Sequence, residues 1–127
     1  MDIKVKLGTD KIMHIKAIMP TRAHEFDAGF DLYTPYAIGI LPHQSVIIDT
    51  GVHMQIPDNY VGFLKSKSGL NVKYGITSEG VIDAGYTGSI VVKLYNNSDI
   101  LYEFNAGDKI TQIVILPVQT PFCDLIS

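Results

Sequence analysis

The sequence predicts an all-β domain, a sandwich or a barrel. Turn signals recur at short intervals: Gly8-Thr9-Asp10, Pro42-His43, Pro57-Asp58-Asn59, Asn96-Asn97-Ser98-Asp99 and Asn105-Ala106-Gly107-Asp108. The segments between them are short and dominated by β-branched apolar residues, the composition of strands. No stretch of useful length repeats its apolar residues at a helical period. Many short strands at near-regular spacing make a sandwich or barrel.

Taken in order, the predicted strands are Ile3–Leu7, Ile12–Ile18, Ser45–Asp49, Tyr60–Lys65, Ser89–Asn96, Ile100–Phe104 and Lys109–Val118. One very short helix is predicted near 68–75: Ser68 stands near its N-cap and Gly75 just past its end. The run Gly80-Val81-Ile82-Asp83-Ala84-Gly85-Tyr86-Thr87-Gly88 reads as a strand, a tight glycine bend and the entry to a second strand. In Ser89–Asn96 one face carries Ile90, Val92 and Leu94, and the other carries Val91 and Tyr95 around Lys93. A sheet with one wet face alternates more cleanly, so the second face is expected to be covered by another sheet or another subunit.

With 127 residues, the chain suits one domain spanning 1–127. A domain of this size buries roughly two thirds of the surface its unfolded chain exposes. Ten basic and thirteen acidic residues give a net charge of −3, which argues against direct binding to a nucleic-acid backbone. A small polyanion remains open, because it needs only a few local cations, backbone N–H groups or a metal ion. Cys123 is the single cysteine, which fits a reducing compartment. The N-terminus lacks a signal-peptide layout, and no apolar run approaches the roughly 18 residues that span a bilayer. A soluble cytoplasmic protein with no membrane partner is expected.

Four segments could carry chemistry. In Ala28-Gly29-Phe30-Asp31-Leu32-Tyr33, Asp31 is either a strand-edge acid or a hard oxygen ligand for Mg²⁺, directly or through water. Lys65-Ser66-Lys67-Ser68-Gly69-Leu70 is either a solvated basic loop or an anion cradle of cations, hydroxyls and backbone N–H groups. Asp83 and Tyr86 place an acid and an aromatic ring three residues apart among glycines, either as an ordinary turn or facing a cavity. Gln112, after the turn Ala106-Gly107-Asp108, could donate its amide to a phosphate oxygen. His14, His24, His43 and His53 show no metal-ligand spacing, and no Ser/His/Asp order suggests acyl transfer.

Together and in this order, the four segments resemble four of the five motifs of the trimeric dUTP diphosphatase (dUTPase) family. Ala28–Tyr33 resembles the first, Ser66–Leu70 the second, Gly80–Gly88 the third and Gly107–Gln112 the fourth. Lys67 stands where the family usually has arginine; it keeps the charge but loses the bidentate fork. The fifth motif, a glycine-rich C-terminal arm, is missing from a chain that ends Pro121-Phe122-Cys123-Asp124-Leu125-Ile126-Ser127. A shortened sequence, a site closed by other means, and poor turnover are the three expectations this leaves. Ile76-Thr77-Ser78-Glu79 reads as a short link before the third motif, with Thr77 or Ser78 as candidates to replace a uracil-binding asparagine of the family.

The resemblance implies a jelly-roll-like subunit in a homotrimer with shared active sites. It implies Mg²⁺-dependent hydrolysis of dUTP to dUMP and pyrophosphate. Asp83 would orient a water for attack on the α-phosphorus. Tyr86 would pack on the deoxyribose and exclude a 2′-hydroxyl. The backbone of Gly80, Val81 and Ile82 would pair with the uracil edge. Lys67, Ser68, Gly69 and Gln112 would hold the phosphates, and Asp31 would hold hydrated Mg²⁺ through water. The alternative is a low-turnover nucleotide-sensing or protein-binding module on the same fold; an intact Asp83 argues against a pure binder. Deamination of a cytosine nucleotide is disfavoured, because no catalytic glutamate can be placed.

Overall fold

The structure is a computed structural model and describes residues 1–10 and 15–127. In chain order its elements are β1 (Lys4–Leu7), β2 (Thr9–Asp10), β3 (Ile15–Lys16), β4 (Gly29–Tyr33), β5 (Ile38–Ile40), β6 (Ser45–Asp49) and β7 (Val52–Gln55). There follow β8 (Tyr60–Lys65), α1 (Ser68–Tyr74), β9 (Ile76–Ile82), β10 (Val91–Asn96), β11 (Tyr102–Phe104) and β12 (Lys109–Pro117). A six-stranded sheet in the order β4-β12-β8-β9-β10-β6 forms the body, and the pairs β1-β7, β5-β11 and β2-β3 close around it. Every pairing is antiparallel.

Side chains that alternate inward build the core. Leu32 of β4, Ile40 of β5, Ile48 of β6, Leu94 of β10 and Ile113 of β12 are all fully buried, as is Ile90 just before β10. Each such side chain contributes about 1.5–3 kcal/mol by leaving water. β10 obeys the period of two: Val92 and Leu94 point in, and Val91, Lys93 and Tyr95 point out. The apolar outer face expected for this strand is therefore present, and within one chain Val91 and Tyr95 are left exposed, with Val81 and Ile47.

Several expectations shift. Residues 11–14, including His14 and part of the predicted Ile12–Ile18 strand, lie outside the described residues; Ile15–Lys16 is β3. The segment read as a link, Ile76–Glu79, is the first half of the continuous strand β9. What read as a tight bend is a wider loop from Asp83 to Ile90. Helix α1 forms where predicted, but Lys67 is the N-cap and Ser68 its first residue. Gly75 closes it in the left-handed conformation, its N–H donating to the Leu70 and Asn71 carbonyls. No helix among the described residues is long and apolar enough to cross a membrane.

Candidate active site

The site is built from two places on the sheet. At the first, β12 lies between β4 and β8, and Gln112 faces Asp31 on one side and Lys65 on the other. Simple alternation along β12 would send Lys109 to the face opposite Gln112. A β-bulge between Lys109 and Thr111 inserts one residue, so that Lys109 pairs with Tyr33 while Thr111 pairs with Leu32. Ile110 and Thr111 are both buried as a result, and Lys109 joins Gln112 on the face of Asp31. Asp31 is itself buried. The Lys67 ammonium bonds its Oδ1, and the Lys109 ammonium lies 3.3 Å from its Oδ2.

Gln112 is held as well. Its Nε2 donates to the Ser66 carbonyl at 3.1 Å. Its amide rests directly on Gly29, where an added Cβ would collide with it. Beneath lies a network of hydroxyls. Thr111 Oγ1 donates to the Lys65 carbonyl at 2.9 Å and meets Ser78 Oγ at 2.6 Å, while the Ser78 N–H donates to Ser66 Oγ at 2.9 Å. These bonds tie β8, β9 and β12 together where the chain turns into α1.

At the second place, β9 and β10 part company. β10 pairs with β9 only across Ile76–Ser78 and then turns to pair with β6 alone. The β10-facing backbone edge of Glu79–Ile82 is left without a strand partner, while the other edge pairs with β8. A slot of about 150 Å³ opens in the gap, walled by Val81, Ile82, Asp83, Tyr86 and Val91. Asp83, exposed at the end of β9, also lines a cleft of about 720 Å³ with Asp58, Tyr60, Phe63 and Val118. The Tyr86 hydroxyl donates to the Ser89 carbonyl at 2.5 Å, and its ring folds over Gly88.

The structure thus brings Asp31, Lys67 and Gln112 together, and separately brings Gly80–Ile82, Asp83 and Tyr86 together. It does not join the two groups. Glu79 faces Lys65 and Ile82 faces Gly62, so Asp83 lies past the far end of the ladder from Lys65. At roughly 3.3 Å per residue and 4.8 Å per strand, that is about 13 Å along the strands and about 10 Å across them from Gln112. Ser68 and Gly69 start α1 with exposed backbone beside the first group. Ser78 is buried in the hydroxyl network rather than facing the slot. Thr77, whose hydroxyl accepts from Asn97 Nδ2 at 3.0 Å, sits at the closed end of β9.

Beside the first group, Lys67, Gly69, Leu70, Lys73, Tyr74 and Lys109 line an open surface depression of about 310 Å³. Tyr74 leans on Tyr102 with ring centroids 5.0 Å apart. Burial, then the neighbouring Tyr74 and Asp108, push the Tyr102 hydroxyl above its ordinary value.

A family model described as dUTPase matches residues 15–126. The chain belongs to the dUTPase family. It is 40% identical over 109 residues to a deoxyuridine 5′-triphosphate nucleotidohydrolase of Picosynechococcus sp., covering 84% of this chain and 77% of that one. It is 44% identical over 104 residues to the protein of that name from Tropheryma whipplei, covering 78% and 70%. Among solved structures it is similar to the dUTPase of phage phi11 of S. aureus, with a TM-score of 0.87, 29% identity and coverage of 99% and 97%; that structure is described as coordinating a structural Mg(II) ion. It is similar also to the Staphylococcus bacteriophage 80alpha dUTPase, with a TM-score of 0.86, 29% identity and coverage of 98% and 96%. The all-β, jelly-roll-like reading stands, and the protein is an enzyme of a dUTPase family. Sequence reasoning passed over Lys109, Thr111, Lys73 and the gap between β9 and β10. Lys109 lay inside the fourth motif, but only the bulge turns it toward Asp31.

Proposed function

We propose that this protein hydrolyses dUTP to dUMP and pyrophosphate. The observation that carries the reading is the open backbone edge of Glu79–Ile82, which ends at an exposed carboxylate. Unpaired strand N–H and C=O groups suit the alternating donors and acceptors of a uracil edge, and the slot beside them admits a flat ring. Tyr86 at its rim packs on the deoxyribose. Asp83 orients a water and takes its proton as the water oxygen bonds to the α-phosphorus. The bond from that phosphorus to the bridging oxygen breaks, and pyrophosphate leaves with the electron pair. A carboxylate is a feeble base at neutral pH, so alignment supplies much of the acceleration.

Lys67, Ser68, Gly69 and Gln112 hold the phosphate chain. The single buried carboxylate of Asp31 has an ammonium on each oxygen and does not suit direct ligation of a divalent cation. A carboxylate has about four lone-pair sites, so Asp31 can still accept from a metal-bound water. Mg²⁺, when bound to the phosphates, would neutralise their charge.

The separation of the Asp83 group from the Gln112 group within one chain supports a homotrimer whose sites are shared between subunits. The exposed apolar face of Val81, Val91, Tyr95 and Ile47 suits the contact. The substrate is the free nucleotide of the cytoplasm. A second reading has one supporting observation: the 80alpha relative is described as controlling transfer of virulence genes by a G protein-like mechanism. On that reading the same site would bind nucleotide as a switch with little turnover. Pyrophosphate release from dUTP, UTP, dCTP and dTTP, with and without Mg²⁺, decides between them. Turnover confined to dUTP is expected, and Asp83→Asn should lower it by about 10²–10⁴-fold while keeping nucleotide binding. Binding of dUTP without turnover in the wild type would favour the switch, and wild-type turnover in Asp83→Asn would remove the role of that acid.

A further inference from the structure

We infer that His53 is a positioning residue for sugar choice: it braces the loop that carries Tyr86, and so fixes the ring that meets the deoxyribose. The inference deepens the dUTP reading above and rests on it. Between Asp83 and Ile90 the chain leaves the sheet, and Asp83, Gly85, Tyr86 and Thr87 are all exposed. Of the residues before Ile90, only Ala84 packs against the apolar core. A hollow of about 370 Å³ lies between this loop and β1, lined by Lys4, Lys6, Gly85, Tyr86 and Thr87 together with His53. A second hollow of about 250 Å³ reaches Gly8, Asp49 and Ser89. His53 is the one residue that lines both, so its imidazole stands as a partition between them. Where apolar packing is this thin, polar ties decide where a loop sits.

Those ties are few. The Tyr86 N–H donates to the Asp83 carbonyl at 3.0 Å and its hydroxyl to the Ser89 carbonyl, but both bonds lie within the loop and attach it to nothing else. Short of Ile90, two side chains among the described residues fasten it to the strands behind. Asp49, at the end of β6, accepts from the Ser89 hydroxyl, and His53, on β7, donates from Nδ1 to the Thr87 carbonyl at 3.0 Å. The two bonds flank Gly88, the residue on which the Tyr86 ring rests. A carbonyl only accepts, so Nδ1 of His53 carries a proton, and in the neutral ring Nε2 does not. The base of this side chain is firm: Val52 and Met54 beside it are buried, and its backbone is paired with Lys6. The Nε2 edge of the ring lies over Gly8, where an added Cβ would meet Nε2 at 3.6 Å, so the imidazole fits between that backbone and Thr87. A histidine on a strand commonly does no more than meet solvent. This one is half-buried, and its bond ends on the residue next to Tyr86. Asp49 also accepts from the Gly51 N–H at 2.9 Å and shapes the turn into β7. The His53 side chain makes no second hydrogen bond among the described residues, so its tie can be cut alone.

The test uses the full chain as wild type, His53→Phe and His53→Asn. Phenylalanine keeps a flat ring and removes the donor. Asparagine gives up the ring and returns an amide nitrogen near the Nδ1 position. Steady-state kinetics on dUTP and UTP are read beside the imidazole ¹⁵N chemical shifts and the ¹⁵N relaxation of Tyr86–Ser89. The wild type should show the Nδ1-protonated tautomer. His53→Phe should loosen Tyr86–Ser89 and reduce the ratio of kcat/KM for dUTP over UTP by about 3–10-fold, as expected for one net hydrogen bond. The change should come mainly from a rise in kcat/KM for UTP, and His53→Asn should recover most of the ratio. An unchanged ratio in His53→Phe would overturn the role. So would equal falls for the two nucleotides, the pattern of a general loss of structure. His53→Asn behaving no better than His53→Phe would overturn it too, assigning the effect to ring packing. Loosening in His53→Phe that His53→Asn reverses, in a protein that turns over no dUTP, would uphold the brace and sink the dUTP reading instead.

Discussion

Gly88 offers a way to move the Tyr86 ring without removing it. A Cβ built at this position would lie 2.6 Å from the tyrosine oxygen and 2.7 Å from Cζ. The backbone there is not in the left-handed region, so alanine is tolerated and the ring must swing away. The direct cost is the hydrogen bond to the Ser89 carbonyl, worth about 0.5–1.5 kcal/mol net. Alanine gains back about 0.4–1 kcal/mol by restricting the unfolded chain. The two nearly cancel, so Gly88→Ala should change stability by less than about 1 kcal/mol, and Tm by only a few degrees. The effect on selectivity should be larger. A shape wall rejects an added hydroxyl by at most about 10²-fold, so displacing it should reduce the ratio of kcat/KM for dUTP over UTP by about 10–100-fold. Gly39→Ala, whose new Cβ would meet Leu101 at an ordinary 3.5 Å, controls for the substitution itself. Steady-state kinetics on both nucleotides, with a crystal structure of the variant, decide the matter. A displaced ring with an unchanged dUTP/UTP ratio would refute the assignment of sugar choice to Tyr86.

Three further outcomes are expected. Ser78→Ala and Thr111→Val each strand a buried hydroxyl partner and should cost about 1–3 kcal/mol in urea unfolding, whereas the double variant should cost less than the sum; strict additivity would contradict the network. The raised Tyr102 pKa means the folded state holds that proton more tightly than the unfolded state. Its stabilisation is therefore complete below the ordinary pKa and lost as pH rises through the folded one. Tyr102→Phe should flatten this alkaline decline, and an identical pH profile for both proteins would count against the shift. Co-refolding Asp83→Asn chains with Ser68→Ala chains should restore turnover that neither homotrimer has. Mixed trimers shown to form yet remaining inactive, or a monomer by sedimentation, would exclude shared sites.

Local pattern made much of this legible. Ser45–Asp49 and Tyr60–Lys65 form the predicted strands residue for residue, because alternation and turn signals agree there. The helix followed from Gly75, whose left-handed cap is local, although its N-cap lies one residue earlier than the Ser68 expected, at Lys67. β5, β7 and the first half of β9 were not read as strands. Ile38–Ile40 is too short to show a period, and in Ile76–Ile82 the inward positions include Ser78 and Gly80, which spoil the apolar alternation. The site's residue types were legible through the four motifs, but its geometry was not. The bulge at Ile110 reverses the side to which Lys109 points, and nothing in Lys-Ile-Thr-Gln marks the inserted residue. The gap between β9 and β10 depends on β6 taking the second strand, a pairing of residues more than forty positions apart.

That gap has a consequence for how the protein balances folding against work. β9 and β10 are antiparallel neighbours with extended chain on both sides, and nothing in their backbones forbids them to zip together beyond Ser78. What holds them apart lies outside the pair. The Ile90 N–H donates to the Val52 carbonyl at 2.8 Å, and the Thr50 N–H and hydroxyl both donate to the Ile90 carbonyl, at 3.1 and 2.7 Å. These bonds pin the start of β10 to the neighbouring strands. Closing the zipper would gain ladder hydrogen bonds and bury Val81 against Val91, while erasing the slot. The molecule thus forgoes cohesion that its own sheet could supply, and a screen for thermal stability alone would reward variants in which the slot is closed.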